Sequence, residues 1–238
     1  MRPVNDCYAG RPSYHAVVTA LPDVREPEHT SLADKAYTAI RDRLIMLDIA
    51  PMTAIDDVAL ARSLEVGRTP VREALKRLEI DRLVVSYPRR GTFATAVDIT
   101  DLAYISEIRV QLEPVAARRA AEYAGAAAQA ELLELADTIE EIDVRTLDRD
   151  TLMRWDLHVH RAIYSAAANP HLEDTLIRYD NLATRIFCLF LDRMTSFDQH
   201  VGEHTGLLRA IGEQRPDEAE QRARDHVLSF EKAIRAVV

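Results

Sequence analysis

The stretch that most constrains this chain is 67–78, which reads G-R-T-P-V-R-E-A-L-K-R-L. It opens with helix-entry signals: Thr69 can cap, Pro70 needs no N–H partner in a first turn, and Glu73 stands near the positive end of the dipole. Val71, Leu75 and Leu78 recur at i, i+4 and i+7, which predicts one buried stripe and leaves Arg68, Arg72, Lys76 and Arg77 facing outward. A short helix with an apolar back, a basic front and a polar N-terminus is what a duplex major groove accepts.

The flanking sequence completes that unit. A helix is expected over about 31–47, with Ser31 as cap, Asp34 at the third helical position, and Leu32, Ala36, Ile40, Leu44 and Leu47 in its buried stripe. Pro51 ends it, a second helix follows over about 56–64, and Glu65-Val66-Gly67 makes the turn into the basic helix. Helix, short Gly-containing turn, helix is the helix-turn-helix layout. Next come a β-prone run at 83–87, the turn Pro88-Arg89-Arg90-Gly91 and a second short strand at 92–95, a hairpin that reads as a wing. Arg89 and Arg90 at its tip would reach phosphates or a minor groove.

A net charge of −9 looks wrong for a nucleic-acid binder until it is divided along the chain. Residues 31–95 carry 11 Lys+Arg against 9 Asp+Glu, and 96–238 carry 16 against 26; between 62 and 90 the count is 8 against 4. The basic charge is concentrated where the helix-turn-helix lies. With two cysteines, Cys7 and Cys188, the chain has no disulfide framework, and it has no apolar run long enough for a membrane span or an export signal, so a cytoplasmic location is expected. Residues 1–30, with four prolines and no helical period, read as a flexible arm.

V-G-R-T-P-V-R-E-A-L-K-R-L-E followed by L-V-V-S-Y-P-R-R-G-T-F resembles the winged-helix domain of GntR-type bacterial transcription regulators. The likeness covers 31–97 and implies that Arg68, Thr69 and Arg72 contact DNA, with Arg90 and Gly91 at the wing. Three positions depart from the family pattern: Gly67 replaces a usual Ser, Arg82 a usual Gly before the first wing strand, and 48–52 lacks the usual glycines.

From residue 98 onward the sequence reads as helices, over about 98–123, 127–143, 149–168, 171–193, 197–213 and 216–237, which predicts an antiparallel all-helical bundle. Pro114 within the first of them predicts a kink. Asp156 and His160 are four apart on one helix and leave one face. His204 and His226 stand about eleven residues to either side of Arg215 in the turn, which brings them level across an antiparallel pair. Three imidazoles and one carboxylate pointing into a bundle make a metal site suited to Zn, Ni, Mn, Fe or Co rather than Ca or Mg.

This half resembles the FCD ligand-binding domain of the FadR-type GntR regulators: D-x-x-x-H, E-H and a last-helix His occur as Asp156, His160, Glu203-His204 and His226, and E-I-R-V-Q-L-E-P-V-A-A-R-R-A-A looks like the domain's first-helix signature. By that likeness Arg109 faces the cavity as a clamp for an effector carboxylate. Six helices point to the VanR-like branch. Two rivals are a DNA-binding protein whose bundle only dimerises, and a metal-dependent hydrolase suggested by H-x-x-E-H at His200, Glu203 and His204. The preferred reading is a mainly α, homodimeric repressor with a DNA-binding domain at 31–97 and an effector-binding and dimerisation domain at 98–238, sensing a small organic acid through a divalent transition metal and reading two half-sites of an operator.

Overall fold

The computed structural model describes residues 31–142, 147–193 and 197–238; the expected N-terminal arm at 1–30 lies outside the described residues. The chain is mainly helical. Three helices, α1 (Leu32–Ile45), α2 (Asp57–Ser63) and α3 (Arg68–Ile80), precede an antiparallel hairpin of β1 (Val84–Tyr87) and β2 (Gly91–Ala94). Six more follow: α4 (Asp101–Tyr123), α5 (Ala126–Glu141), α6 (Arg149–Ala166), α7 (Pro170–Phe190), α8 (Phe197–Gly212) and α9 (Pro216–Arg235), with a short 3-10 turn, Leu191–Arg193, after α7.

Local chemistry sets the first unit. Ser31 and Asp34 form the reciprocal capping box expected of them, each side chain serving the other's backbone N–H at 3.1 Å. The Asp56 carboxylate caps α2 by accepting from the N–H groups of Val58 and Ala59. The reading of Thr69 as a cap is corrected: Gly67 holds the cap position without a side-chain bond, and Thr69 is already helical. Helix α3 thus begins two residues earlier, and the N–H that Pro70 lacks is still one of the four a first turn cannot use. Val71, Leu75 and Leu78 are buried as expected, with Ala74 beside them. Two members of the α1 stripe are not: Leu32 is 56% exposed at the helix's first position, and Leu47 lies beyond the helix at φ 64°.

The hairpin pairs Val84 with Ala94 through to Tyr87 with Gly91, and an isolated bridge from Ala54 to Phe93 ties the α1–α2 connection to it. Gly91 turns the tip at φ 91°. Arg82, where the family usually has glycine, keeps the left-handed conformation at φ 62° that glycine adopts at least cost.

Two apolar cores result. One joins α1, α2, α3 and the hairpin; the other fills the six-helix bundle, and Leu182 of α7 packs against both. Helix α4 is central to the bundle, touching α6, α7, α8 and α9. It runs on without interruption through Pro114. Pro114 has no N–H to give the Val110 carbonyl one turn earlier, and Nη1 of Arg224 on α9 donates to that carbonyl at 3.3 Å instead. Val115 of α4 is 46% exposed, and the helix's buried face includes Ser106, Arg109 and Glu113.

Candidate metal centre and nucleic-acid interface

On the basic helix, Arg68, Thr69 and Arg72 are exposed along one side of α3, and Arg90 and Gly91 are exposed at the tip of the wing. Neither arginine of the helix is free in this conformation. Arg72 Nε donates to Asp57 Oδ2 at 2.8 Å, and Arg68 Nη2 reaches the same carboxylate at 3.3 Å. Asp57 is the first residue of α2, so the helix that leads into the turn supplies the acid that aligns both. The hydrogen bond from Arg72 is the larger of the effects that hold its carboxyl below the usual range. Arg77 turns elsewhere: its guanidinium pairs with Asp34 at 2.5 Å and lies over the Tyr37 ring, bracing α3 against α1. It faces outward like the others, but its charge is committed to α1.

The second site lies inside the bundle, where α6, α8 and α9 converge beside α4. Asp156, His160, His204 and His226 are each no more than 5% exposed and offer donor atoms that all lie within 4.8 Å of one another. Donors around one ion at metal–nitrogen distances of about 2.1 Å would lie no more than roughly 4.2 Å apart. The side chains therefore need to contract little around one ion. The level register expected of His204 and His226 is present, with ring centroids 4.5 Å apart across the α8–α9 pair.

Tautomers sharpen the arrangement. His226 Nδ1 faces the Glu203 carboxylate at 3.1 Å, and Glu203 is itself held by the hydroxyl of Ser229 at 3.0 Å. His160 Nδ1 faces the Tyr164 hydroxyl at 3.2 Å and Glu113 Oε2 at 3.8 Å. Both rings therefore turn Nε2 inward, and these two nitrogens meet at 3.3 Å. The Nε2 of His204 is buried, 3.6 Å from Asp156 Oδ1, and has no hydrogen-bond partner. Rings fixed at Nδ1 by a carboxylate or a hydroxyl, with Nε2 turned inward, are the pattern of metal ligands with their supporting groups. A cavity of about 10 Å³ touches both Asp156 and His204, room for one small ion or water.

The electrostatics agree. Burial holds His204 and His226 well below the ordinary imidazole range, which keeps them neutral and able to donate lone pairs. Burial alone would raise the Asp156 carboxyl, but the hydrogen bond from His200 and the surrounding imidazoles bring it below the usual range, so it stays ionised. Glu113 and Asp180 add two more buried carboxyls. Among the described residues Arg109 is the guanidinium that faces them, 2.5 Å from Glu113 and 3.4 Å from Asp180, with its charge over the Phe230 ring at 5.3 Å. It is 3% exposed and points into the bundle, next to the cluster through the Glu113–His160 contact.

His200 was visible in the sequence only as part of H-x-x-E-H. Its Nε2 is 3.1 Å from Asp156 Oδ1 and its ring stacks on His226 at 4.4 Å, so it closes one side of the cluster. With Glu203 and His226 it forms a second set of possible donors that shares His226 with the first. Glu113 and Asp180 join the site from outside the sequence motifs: the i, i+4 spacing from Arg109 is a signal for the first, and no spacing in the sequence points to the second.

The comparisons with known proteins agree with this geometry. The model for bacterial regulatory proteins of the gntR family matches residues 32–94, and that for the FCD domain matches 104–229. An uncharacterised HTH-type transcriptional regulator of Agrobacterium vitis, from the TAR-I ttuE-ttuC' intergenic region, is 34% identical over 56% of this chain and 79% of its own length. The galactonate operon transcriptional repressor of Escherichia coli is 24% identical over 76% of this chain and 86% of its own. Among solved structures, Escherichia coli McbR/YncC superposes with a TM-score of 0.76 at 20% identity, covering 87% of this chain and 99% of that one, a likeness of fold. The family models and both sequence relatives are of transcription regulators rather than enzymes, which removes the hydrolase reading of H-x-x-E-H. No helix among the described residues is long and apolar enough to cross a membrane. A basic recognition helix and wing joined to a histidine-lined helical bundle, matched by both family models, place this chain in the GntR family of bacterial transcription regulators with an FCD domain.

Proposed function

We propose that the chain is a homodimeric cytoplasmic repressor whose grip on an operator is set by a small carboxylate bound at a divalent transition metal in the bundle. Residues 31–97 read DNA through Arg68, Thr69 and Arg72 in the major groove, with Arg90 and Gly91 following the backbone at the wing. Residues 98–238 dimerise and sense. Asp156, His160, His204 and His226 hold the ion; Zn, Ni, Mn, Fe or Co suits the nitrogen-rich set. When bound, the ion supplies a Lewis acid for a carboxylate oxygen, and Arg109 supplies the guanidinium that orients the effector.

The observation that carries this reading is the pair of inward Nε2 atoms of His160 and His226 at 3.3 Å, beside the bare Nε2 of His204. A shared cation satisfies all three nitrogens and offsets the buried carboxyls around them. The small cavity admits an ion but no organic acid, so effector entry requires the bundle to open, and that opening is the signal sent to α1–α3. The galactonate-operon repressor among the relatives supports a hydroxy acid as the effector class.

Metal analysis of protein purified without a histidine tag tests the reading. About one divalent ion per chain is expected, lost in His204→Ala while binding to duplex DNA persists. No stoichiometric metal and no change in Tm on adding Zn, Ni or Mn would leave the bundle as a dimerisation module. A thermal-shift panel responding to amines or neutral sugars and not to hydroxy or dicarboxylic acids would reject the effector class.

A further inference from the structure

A cavity of about 490 Å³ lies at the junction of the two cores and shares no lining residue with the histidine cluster. Residues 95–98, just after the wing, form one wall, and α4 and α7 form the other. At its inner end is Arg185 of α7, 2% exposed. Its Nε donates to the Leu44 carbonyl at 3.1 Å, Nη1 to Thr95 Oγ1 at 2.7 Å and Nη2 to the Thr95 carbonyl at 3.1 Å. All three acceptors are neutral. Among the described residues no carboxylate pairs with it, in contrast to Arg109, which has two. A guanidinium carries five N–H donors, so two remain after these bonds. Burial lowers its pKa to about 10, which still leaves it charged at neutral pH.

A buried cation without a counter-ion is costly to maintain, and one that borders an open cavity is a standing invitation to an anion. The remaining lining decides which anion. Ile105, Ile108, Leu182 and Ile186 are apolar, and Tyr104 and Tyr179 add aromatic faces. The mouth carries Asp98, Asp101 and Arg82, all three exposed, with the two acids outnumbering the one base. Acids at the rim disfavour a second negative charge on the entering molecule, and the apolar wall favours a hydrocarbon body.

We propose that this junction is a second ligand site, taking an amphipathic monocarboxylate whose carboxylate meets Arg185 and whose aromatic or aliphatic body lies against the α4 and α7 walls. Its walls belong to both halves of the chain, so an occupant favours one placement of the wing relative to the bundle. It thereby biases DNA binding independently of the metal cluster.

Calorimetric titration of the full-length, metal-loaded protein with 4-phenylbutyrate and with its neutral amide tests the site. The acid is expected to bind at least about tenfold more tightly than the amide, and Arg185→Gln to remove that difference. Because Arg185 also braces the fold, Ile108→Trp is the second variant: it fills the cavity without touching the Arg185 bonds and should weaken the acid by at least about tenfold. Stripping the metal with EDTA should leave the acid's affinity unchanged. No binding by the acid up to about 10 mM, or equal affinity for acid and amide, overturns the proposal. So does binding that survives Ile108→Trp and vanishes with the metal, which would place the acid in the bundle.

Discussion

Asp57 Oδ2 accepts from Arg72 Nε at 2.8 Å and lies 3.3 Å from Arg68 Nη2, so one carboxylate of the leading helix holds the two exposed arginines of α3 that are proposed to contact DNA. The pairing orders both side chains at the cost of part of their charge. A phosphate approaching them must compete with Asp57 and is also repelled by it. Asp57→Asn is therefore expected to tighten binding to any duplex roughly three- to tenfold at about 50 mM salt, with the gain shrinking as salt rises. Fluorescence anisotropy on a random-sequence duplex reads it. Unchanged or weaker binding at low salt would mean that ordering the arginines matters more than releasing them.

Removing Arg72 itself should do the opposite and more. Arg72→Ala leaves α3 intact, because Val71, Ala74, Leu75 and Leu78 carry its packing. Operator affinity is expected to fall by about ten- to a hundredfold with the Tm unchanged, since a lost base contact is worth roughly 1–3 kcal/mol. Equal affinity for wild type and variant at moderate salt would take this helix out of the interface.

Glu203 orients His226 through Nδ1 and is in turn fixed by Ser229. Such supporting carboxylates commonly account for about ten- to a hundredfold in metal affinity. Glu203→Gln keeps the shape of the contact and removes its charge. It should weaken metal binding within that range, measured by competition with a chromophoric chelator, while one ion per chain still binds at saturation. Complete loss of metal would instead make Glu203 a direct ligand, with His200 and His226 as its partners.

Much of this was legible from spacing, and what was not has a common cause. A period of 3.6 fixes which residues of one helix share a face, so Val71, Leu75 and Leu78, or Asp156 and His160, follow from the sequence. A short turn between antiparallel helices extends the same arithmetic to His204 and His226. Contacts between elements without such a ruler stayed hidden. His200 meets Asp156 across 44 residues, Arg185 meets Leu44 across 141, and Arg224 completes the Val110 carbonyl across 114. The Thr69 cap failed for a different reason: Gly67 and Thr69 both suit a helix start, and only the observed entry of the chain chooses between them.

Two glycines on α8 should respond oppositely to alanine. Gly202 has open space where a Cβ would go, whereas a Cβ on Gly212 would stand 2.6 Å from Leu133 Cγ and 3.2 Å from the Gln129 carbonyl on α5. Gly202→Ala is expected to raise stability by about 0.5–1 kcal/mol through backbone entropy alone. Gly212→Ala gains less at a helix end and must push α5 away, for a net loss of roughly 1–3 kcal/mol. Urea melts of both variants test the close approach of α5 and α8; stabilisation by both would show that the two helices have room to part.

The pH dependence of the metal-free protein follows from His204 and His226. In the unfolded chain each takes up a proton near pH 6.5. In the folded chain burial holds both well below that value. Between the two values the unfolded state binds more protons, so stability is full above about pH 7.5 and falls as the pH drops through 6.5. The slope approaches about 1.4 kcal/mol per pH unit for each histidine. Asp156, held below the usual carboxylate range, works the same way but only below about pH 4, and does not enter this window. Urea unfolding of EDTA-treated protein from about pH 8 to 5.5 should trace the decline, and His204→Gln should roughly halve its slope. Added zinc should still protect below pH 6.5, because in the folded chain these nitrogens stay bare to bind it. A flat profile in the metal-free protein would mean that these rings accept protons where they stand, and would remove the pre-formed neutral cluster on which the metal site depends.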